Sequence, residues 1–446
     1  MDSLFARQKA TQADHMRVLF VGTLRIKVPE EDQEYVSQAL KPFRCVPVFL
    51  PERVYDLCLT FIHQTLWPIF HNVVDIYGAL PTLWWNGNVQ ERHWESYMTM
   101  NQLFASKIVE VFCSGDLVWI QDTGCLILPS FLVRKIQDLH IGMFIHKTFP
   151  SSEIFRTIST RADLLRGMLN ANQIGFHLYE YARHFLTCCR RILGLKMRHE
   201  RGGGMVVEYQ GRDVKVTVAH ASVEPTVILS RLKEPKCAEH VAEFERVLGL
   251  RQQKRRVIIG VDRLERMCGM VIKLGAFGEF LDANPSYIGR CCLVQYGIHA
   301  PTRGEDYVET RQKVLALVAK INRDTTGRED GGIAPTILYR EVDRANVLER
   351  AALYKVADVM LNSCIRQGFD MIPLEYVAAN PGGILAMSEF ACCSRVLTGS
   401  VVFNPFLTEE VANVILRCLT MDRNEQRLRY EQNNAFVMSN NTSAWA

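Results

Sequence analysis

Two stretches of the chain carry side chains that could take part in chemistry. Residues 141–185 begin IGMFIHKTFPSSEIFRT and end IGFHLYEYARHF, which puts His146 directly after an apolar run. A lone histidine is more often a hydrogen-bonded core residue than a reactive one, and both interpretations of His146 stay open. Further along, the segment DRLERMCG contains Arg263, whose planar guanidinium can bind a diphosphate as a fork. A surface salt bridge is the alternative role for this arginine.

Short apolar runs alternate with segments of helical period, which predicts parallel sheets joined by crossover helices. The runs are apolar on both faces, as expected of strands covered by helices on each side. A hairpin is expected where two alternating runs flank Gln210-Gly211. The predicted strands begin near Val18, Val46, Leu117, Ile141 and Ile174 in the first half, and near Val257, Cys291, Thr336, Ala357, Gly383 and Val401 in the second. The pattern therefore predicts an α/β fold.

Helical segments are predicted from apolar residues at steps of three and four. Val347, Leu348, Ala351 and Tyr354 follow this spacing and are expected on one helical face toward the sheet. Thr408 precedes two glutamates and an apolar stripe, so we expect it to cap the start of a helix. The last ten or so residues show no such pattern and are expected to be disordered.

Length and composition bound the class of protein. A chain of 446 residues is too long for one ordinary core and suits two domains of roughly 200 residues each. We place them at residues 1–235 and 236–425, followed by a tail at 426–446. The net charge of +4 is close to neutral and no block of Lys and Arg stands out. Nucleic acid or an anionic membrane is therefore not expected as the main partner.

Targeting and redox signals are weak. No window approaches the roughly 18 to 20 apolar residues of a spanning helix, and the start lacks the apolar region of a secretory signal. We therefore predict a cytoplasmic protein. The fourteen cysteines include no C-x-x-C pair, and the adjacent pairs lie among apolar residues. Buried free thiols are the expected state.

The order and spacing of motifs in residues 141–185 resemble the acceptor-side core of the trehalose-6-phosphate synthase family of retaining glycosyltransferases. The resemblance covers about Val18 to Leu419. It implies the B-type glycosyltransferase fold, in which two Rossmann-like, doubly wound domains face a cleft and bind ligands at the carboxyl ends of their strands. It also implies transfer of glucose from UDP-glucose to glucose 6-phosphate, which gives trehalose 6-phosphate and UDP, with no metal or other cofactor.

On the donor side, the family neutralises the departing diphosphate with the Arg and Lys of D-R-L-D-Y-x-K-G. Arg263 matches the arginine, but Cys268 stands at the lysine position. Loss of one preorganised charged donor typically lowers the rate by about 10² to 10³. In the family motif R-D-G-M-N-L-V, Gln367 replaces the Asp that would contact the sugar hydroxyls. The donor-binding positions implied by the resemblance are Arg263, Gly368, Asp370, Met371, Ile372 and Glu375, the last being the ribose carboxylate.

On the acceptor side, the family motif H-D-Y-H is Gln121-Asp122-Thr123-Gly124 here, so Asp122 is retained and Gly124 replaces the second histidine. The matched catalytic candidates are then Arg263, His146 and Asp122. Trp94, Asp122 and Arg303 are the implied acceptor-binding residues. Arg303 would address the sugar phosphate, and Trp94 would help to pack it.

Two functions are weighed for this mixture of matches and losses, and a transferase with a changed donor or acceptor is a further alternative. The favoured one is a catalytically impaired homologue that regulates or scaffolds trehalose biosynthesis, with an active synthase or phosphatase subunit as the candidate partner. The alternative is an active transferase from a truncated gene model, in which Arg266 replaces the missing lysine. The start, VLFVG, resembles a later strand of the family, so we expect the first strand and its Gly-rich loop to be missing. We likewise expect no phosphatase-like domain to follow.

Overall fold

The computed structural model describes residues 17–24, 26–74, 87–200, 204–250, 254–300, 304–326 and 334–445. They form two compact units: a first unit that ends at His220, and a second unit that begins at Ala221. Each unit is an α/β structure built on a six-stranded sheet. The predicted fold class is confirmed, while the domain limits inferred from the sequence stay predictions.

The first unit contains a small two-stranded sheet, β1 with β2, and a six-stranded sheet of order β3-β4-β5-β8-β7-β6. Strands β3, β4, β5 and β8 are parallel, and β8, β7 and β6 are antiparallel. The strands are β1 Phe20–Gly22, β2 Cys45–Pro47, β3 Leu117–Gln121, β4 His140–Ile145, β5 Gln173–Phe176, β6 Met197–His199, β7 Met205–Tyr209 and β8 Arg212–Val218. The predicted hairpin is confirmed: Gln210 and Gly211 both have positive φ, +51° and +76°, as a two-residue turn of this kind requires. Strand β6 was not predicted.

Helices of the first unit flank these strands. They are α1 Glu30–Leu40, α2 Glu52–Thr60, α3 Trp67–Phe70, α4 Gly87–Val111, α5 Leu128–Leu132, α6 Ser152–Phe155, α7 Arg161–Met168 and α8 Tyr179–Leu193. A π-helical segment, Phe61–Leu66, joins α2 to α3. Phe149, Phe155, Phe176 and Phe185 pack on one another in the interior. The motif of residues 141–185 therefore supplies much of the aromatic core of this unit.

The second unit is built on a fully parallel sheet of order β11-β10-β9-β12-β13-β14. The strands are β9 Arg256–Arg263, β10 Cys291–Ile298, β11 Ile337–Val342, β12 Val359–Asn362, β13 Ile384–Ser388 and β14 Val401–Phe403. The chain runs outward from β9 to β11 on one side and from β12 to β14 on the other. Its direction of winding therefore switches between β9 and β12, the point at which parallel sheets bind ligands.

Helices of the second unit cover this sheet. They are α9 Pro225–Leu232, α10 Pro235–Val247, α11 Met270–Ala283, α12 Glu305–Thr325, α13 Val347–Val356, α14 Ile372–Ala379, α15 Thr408–Thr420, α16 Arg423–Ser439 and α17 Thr442–Trp445. A continuous core joins the strands to α11 and α15, with Ile258, Leu293, Phe277 and Ile415 all almost fully buried.

Two local predictions were wrong. Thr408 begins α15 as its first residue and makes no capping hydrogen bond, because Leu407 occupies the cap position. The end of the chain is helical rather than disordered. Asn433 of α16 is buried and accepts a hydrogen bond from the Gly399 N–H at 2.8 Å, and Val437 is fully buried. Asn433 and Val437 are enough to hold the helix against the protein. Two such residues do not form an apolar stripe, and for this reason the sequence pattern did not predict the helix.

All fourteen cysteines are free thiols, and most are buried, as predicted. Within the described ranges, no helix is both long and apolar enough to span a bilayer.

Candidate active site

Polar side chains gather where β3, β4 and β5 end in the first unit. We call this set, Gln121, Asp122, His146, Lys147 and His177, the first-unit edge. Because parallel strands present their carboxyl ends along one edge of a sheet, residues far apart in sequence meet here. His146 Nε2 donates a hydrogen bond to Gln121 Oε1 at 2.8 Å, and its Nδ1 lies 3.1 Å from His177 Nε2. With Nε2 protonated, Nδ1 is the acceptor. His146 is thus a hydrogen-bonded residue whose ring is oriented from both sides.

Asp122 has an unusual backbone conformation, with φ +60° and ψ −166°. This region is nearly exclusive to glycine and costs about 1–3 kcal/mol, a strain typical of functional sites. The Asp122 N–H nevertheless donates to Phe144 O at 2.8 Å, which ties the turn to β4. Asp122 Oδ2 lies 3.5 Å from Lys147 Nζ, which donates to Thr123 Oγ1 at 2.8 Å.

Asp122 Oδ1, an acceptor, and Gln121 Nε2, a donor, are buried atoms of the first-unit edge without a hydrogen-bond partner among the described residues. Buried polar groups are nearly always hydrogen-bonded in folded proteins. A ligand hydroxyl both donates and accepts, so it can satisfy an acceptor or a donor of this kind.

The turn that carries Asp122 and Gly124 is held by Tyr97 of α4. The Tyr97 hydroxyl donates to Thr123 O and accepts from the Leu126 N–H, both at 2.9 Å. Burial raises the pKa of this phenol well above its usual value, so the hydroxyl keeps its proton. The Trp94 ring stacks on Tyr97 with 5.8 Å between centroids. Trp94 therefore lies in the aromatic cluster that supports the turn. Arg303 lies outside the described residues.

In the second unit, β9 ends with Asp262 and Arg263, and Arg263 is partly exposed. The Asp262 carboxylate is buried and accepts hydrogen bonds from Gln295 Nε2 at 2.9 Å and from Lys273 Nζ. Lys273 on α11 is itself fully buried. A buried charge is tolerated only when it is paired, so this network fixes the position of the strand end that carries Arg263.

Cys268 follows in a short 3₁₀ turn and is almost fully buried. Burial, reinforced by the carboxylates of Glu265 and Asp262, raises the pKa of its thiol. The side chain is therefore neutral and supplies no charge. Gly269 comes next with φ +68°, and a Cβ there would lie 1.9 Å from Ser363 O. The Ser363 hydroxyl in turn donates to Gly269 O at 2.9 Å, which packs this turn against the loop after β12.

Arg266, the proposed substitute for the missing lysine, is held by acidic residues of α12. Its guanidinium lies 2.6 Å from Glu309 and 3.4 Å from Asp306. The side chain is 63% exposed. Arg266 therefore forms a surface ion-pair network with α12, and this geometry does not favour a role in neutralising a diphosphate.

The loop after β12 is closed by its own polar side chains. Asp370 Oδ1 accepts from the Ile372 N–H at 3.1 Å, and Oδ2 accepts from Gln367 Nε2 at 3.0 Å. Gln367 Oε1 lies 3.3 Å from Asn362 Nδ2. A helix N-terminus attracts anions, and here the carboxylate of Asp370 already occupies that position at α14. Burial raises the pKa of Asp370.

Glu375, on α14, is paired within the protein. Its two carboxylate oxygens accept from Arg350 at 2.9 and 3.1 Å, and the Tyr354 hydroxyl donates to Oε2 at 3.1 Å. Arg350 and Glu375 are both buried. Met371 precedes α14 as its cap residue, and Gly368 lies in the loop before it. The roles of Glu375, Gly368, Met371 and Ile372 in donor binding stay predictions.

The structure thus brings Asp122 together with His146, and the Arg263 turn together with the loop of Asp370. We call the latter set, Arg263, Cys268, Gln367 and Asp370, the second-unit edge. The sequence reasoning missed Gln121 as a partner of His146, and also Lys147, His177, Lys273 and Arg350. Position at the end of a predicted strand would have indicated Lys147 and His177. No cluster of three or more His, Cys, Asp or Glu residues that could hold a metal ion occurs in the described part of the chain.

The architecture is that of the B-type glycosyltransferases. The solved N-terminal domain of a trehalose-6-phosphate phosphatase from Candida albicans is similar with a TM-score of 0.83 and 27% identity, over 95% of this chain and 86% of that one. The sequence narrows the class further. Residues 2–446 match the model of glycosyltransferase family 20, and the chain belongs to that family.

Curated relatives are named as synthases. The chain is 33% identical to alpha,alpha-trehalose-phosphate synthase [UDP-forming] 5 of Arabidopsis thaliana, over 100% of this chain and 52% of that protein. It is 34% identical to the alpha,alpha-trehalose-phosphate synthase [UDP-forming] of Schizosaccharomyces pombe, over 96% of this chain and 81% of that protein. The chain therefore spans about half the length of the Arabidopsis relative.

Proposed function

We propose that this chain is a catalytically impaired member of glycosyltransferase family 20 that acts as a regulatory or scaffolding subunit of trehalose biosynthesis in the cytoplasm. An active synthase or phosphatase subunit is its proposed partner. One observation carries the proposal: Cys268, a buried neutral thiol, stands where the family has the lysine that neutralises the departing diphosphate.

The surroundings of Cys268 support this reading. Transfer from UDP-glucose develops negative charge on the leaving UDP, and preorganised cations stabilise that charge. Of the expected pair, only Arg263 is retained. Arg266 is paired with Asp306 and Glu309, and the Asp370 carboxylate adds negative charge at the N-terminus of α14. Absence of the lysine alone corresponds to a rate loss of about 10² to 10³.

The first-unit edge supports retention of a sugar-phosphate ligand. Asp122 Oδ1 and Gln121 Nε2 are buried without a partner among the described residues, and Lys147 supplies a cation beside them. Glucose 6-phosphate is the proposed ligand, with Arg303 addressing its phosphate and Trp94 supporting the site. The similarity to a domain of a protein named as a phosphatase indicates that this fold is not confined to proteins named as synthases.

UDP release from UDP-glucose in the presence of glucose 6-phosphate tests the loss of activity. With the purified full chain and no added metal, we expect UDP release at least about 10²-fold slower than an ordinary enzymatic rate. Turnover at an ordinary enzymatic rate of about 1 to 10³ per second would overturn the proposal. It would instead support an active retaining transferase. The Cys268→Lys variant, measured beside it, shows how much of any loss is due to this one position.

Calorimetry with glucose 6-phosphate tests the sensing role separately. We expect heat of binding with the wild-type chain and a weaker response with Arg303→Ala. No binding to the wild-type chain would exclude sugar-phosphate sensing and leave only a scaffolding role.

A further inference from the structure

A groove runs between α11 and α12 on the second unit, away from the residues discussed so far. Its volume is about 230 Å³. Nucleotide and drug-sized ligands usually occupy pockets of roughly 300–1,000 Å³, so this groove suits one or two apolar side chains better. Leu281, Leu317 and Ile321 form its apolar floor.

Two facing stripes line the groove. On α11 the residues are Gly275, Gly278, Glu279 and Asp282, and on α12 they are Leu317, Lys320, Ile321 and Asp324. Each set is spaced at i, i+3, i+4 and i+7, which is one face of a helix. The floor is therefore apolar and the rim is charged, as in grooves that receive an amphipathic helix.

Gly275 and Gly278 of α11 differ in whether a neighbouring side chain packs against them. A Cβ at Gly278 would lie 3.3 Å from Ile321 Cδ1, so Gly278 allows α12 to approach closely. A Cβ at Gly275 would meet no atom within 4 Å. A glycine within a helix is destabilising relative to alanine, and at Gly275 no packing within the described residues offsets that loss. No residue that the structure describes fills the space above Gly275.

The rim carries an excess of negative charge. Three acids, Glu279, Asp282 and Asp324, face one base, Lys320. Glu279 and Asp282 make no hydrogen bond or ion pair with any residue that the structure describes, while Asp324 lies 3.8 Å from Arg323. Unpaired carboxylates around an apolar floor favour a partner that brings its own cations.

We propose that this groove is a docking site for a basic amphipathic helix of a partner protein, with an apolar side chain inserted above Gly275 and Arg or Lys residues facing Glu279 and Asp282. The site is independent of glucose transfer. It gives a regulatory or scaffolding subunit a surface through which to hold another protein.

The probe is a fluorescein-labelled, alanine-rich helical peptide with one central leucine and arginines three and four positions to each side. Fluorescence anisotropy with the full chain should show saturable binding at low salt that weakens as salt rises. The same peptide with glutamate in place of arginine should not bind. No response up to about 1 mM of the arginine peptide, or equal binding of both peptides, would overturn the proposal.

Variants of the chain locate the binding. Gly275→Leu fills the groove, and we expect peptide affinity to fall by about tenfold or more because the anchor is excluded. Its melting temperature should be unchanged or higher, since leucine favours the helix and a Cβ at this position meets no atom within 4 Å. Glu279→Lys should weaken binding roughly three- to tenfold and flatten the salt dependence. Glu239→Lys, an exposed glutamate on α10 outside the groove, is the matched control and should stay within about twofold.

Unchanged affinity in Gly275→Leu would place the peptide elsewhere and overturn the proposal. Sedimentation of the wild-type chain tests whether a second copy of the chain, rather than a partner helix, occupies the groove. Self-association that Gly275→Leu abolishes would show that a second copy of the chain fills the groove, which also contradicts a partner helix.

Discussion

The first-unit and second-unit edges occupy equivalent positions, each at the carboxyl ends of parallel strands, yet their polar groups are satisfied in opposite ways. At the first-unit edge, Asp122 Oδ1 and Gln121 Nε2 are buried and unpaired among the described residues, and Asp122 holds a strained backbone. At the second-unit edge, both Asp370 oxygens accept hydrogen bonds from within the loop. One edge keeps the features of a ligand site, and the other has become self-contained.

If the proposed function holds, this difference means that loss of catalysis need not be loss of binding. A transferase needs charge stabilisation at the leaving group and positioning of the acceptor at the same time. Under the proposed function, the neutral Cys268 removes the first requirement and leaves the second. At the nearby N-terminus of α14, the Ile372 N–H donates to Asp370 Oδ1. The predictions below are ordered from the largest expected effect to the smallest.

Removal of Arg350 tests whether Glu375, on the helix that follows the second-unit edge, is held by a partner within the protein. Arg350→Ala leaves the Glu375 carboxylate buried and unpaired, so we expect the free energy of unfolding to fall by about 3–5 kcal/mol. Urea denaturation measures it. The control is Lys107→Ala, which breaks the exposed Lys107–Glu110 pair and should cost about 0–1 kcal/mol. A small loss in Arg350→Ala would mean that Glu375 is not held by this pair and is available to a ligand.

Asp122→Gly tests the first-unit edge. Glycine adopts the observed conformation without strain, so the variant should gain about 1 kcal/mol in free energy of unfolding. It also loses the carboxylate, and a hydrogen bond to a charged group contributes about 1.5–3 kcal/mol, so affinity for glucose 6-phosphate should fall roughly 10- to 100-fold. Denaturation and calorimetry measure the two effects. Higher stability with unchanged affinity would show that the strain at Asp122 serves no sugar ligand.

The two edges also show which features of the structure can be predicted from the sequence and which cannot. Apolar runs predict β4, β9 and most other strands because burial of both faces leaves a local pattern. The order of strands in each sheet is not local, and so contacts such as Arg350 with Glu375, or Gln121 with His146, could not be read from spacing. The charge lost at Cys268 was evident in the motif. The closure of the α14 N-terminus by Asp370 was not, because it depends on the path of the loop after β12.

Asp370→Asn reopens the second-unit edge. Asparagine can still accept from the Ile372 N–H, but it carries no charge against a diphosphate at the helix N-terminus. We expect affinity for UDP to rise roughly fivefold at low salt. Isothermal calorimetry with UDP measures it, and Asp343→Asn, at an exposed acid outside this loop, is the control. An unchanged or lower affinity would show that Asp370 does not oppose the nucleotide.

The same variant has a pH dependence of known sign. Burial raises the pKa of Asp370 above its unfolded value of about 3.9. The negative charges of Asp262 and Glu375 raise the pKa further, while the hydrogen bond from the Ile372 N–H and the positive charge of Arg263 lower it in part. The protonated form therefore stabilises the fold below pH about 3.9, and this contribution is lost as the pH rises through the folded pKa. Asparagine cannot ionise. The stability of Asp370→Asn relative to wild type should increase from pH 4 to pH 7 in urea titrations, and a decrease would reverse the assigned shift.

Arg266→Ala gives the smallest expected effect and separates the two candidate functions most directly. The guanidinium is paired with Asp306 and Glu309 on the surface, so its removal should change UDP affinity by less than about twofold. Arg263→Ala is the matched control. Because a guanidinium binds phosphates as a fork, its loss should weaken UDP binding about tenfold or more. If Arg266→Ala weakens binding as much as Arg263→Ala does, Arg266 leaves its acidic partners when nucleotide binds. The second-unit edge would then hold a pair of cations after all, and an active transferase would become the better account of the chain.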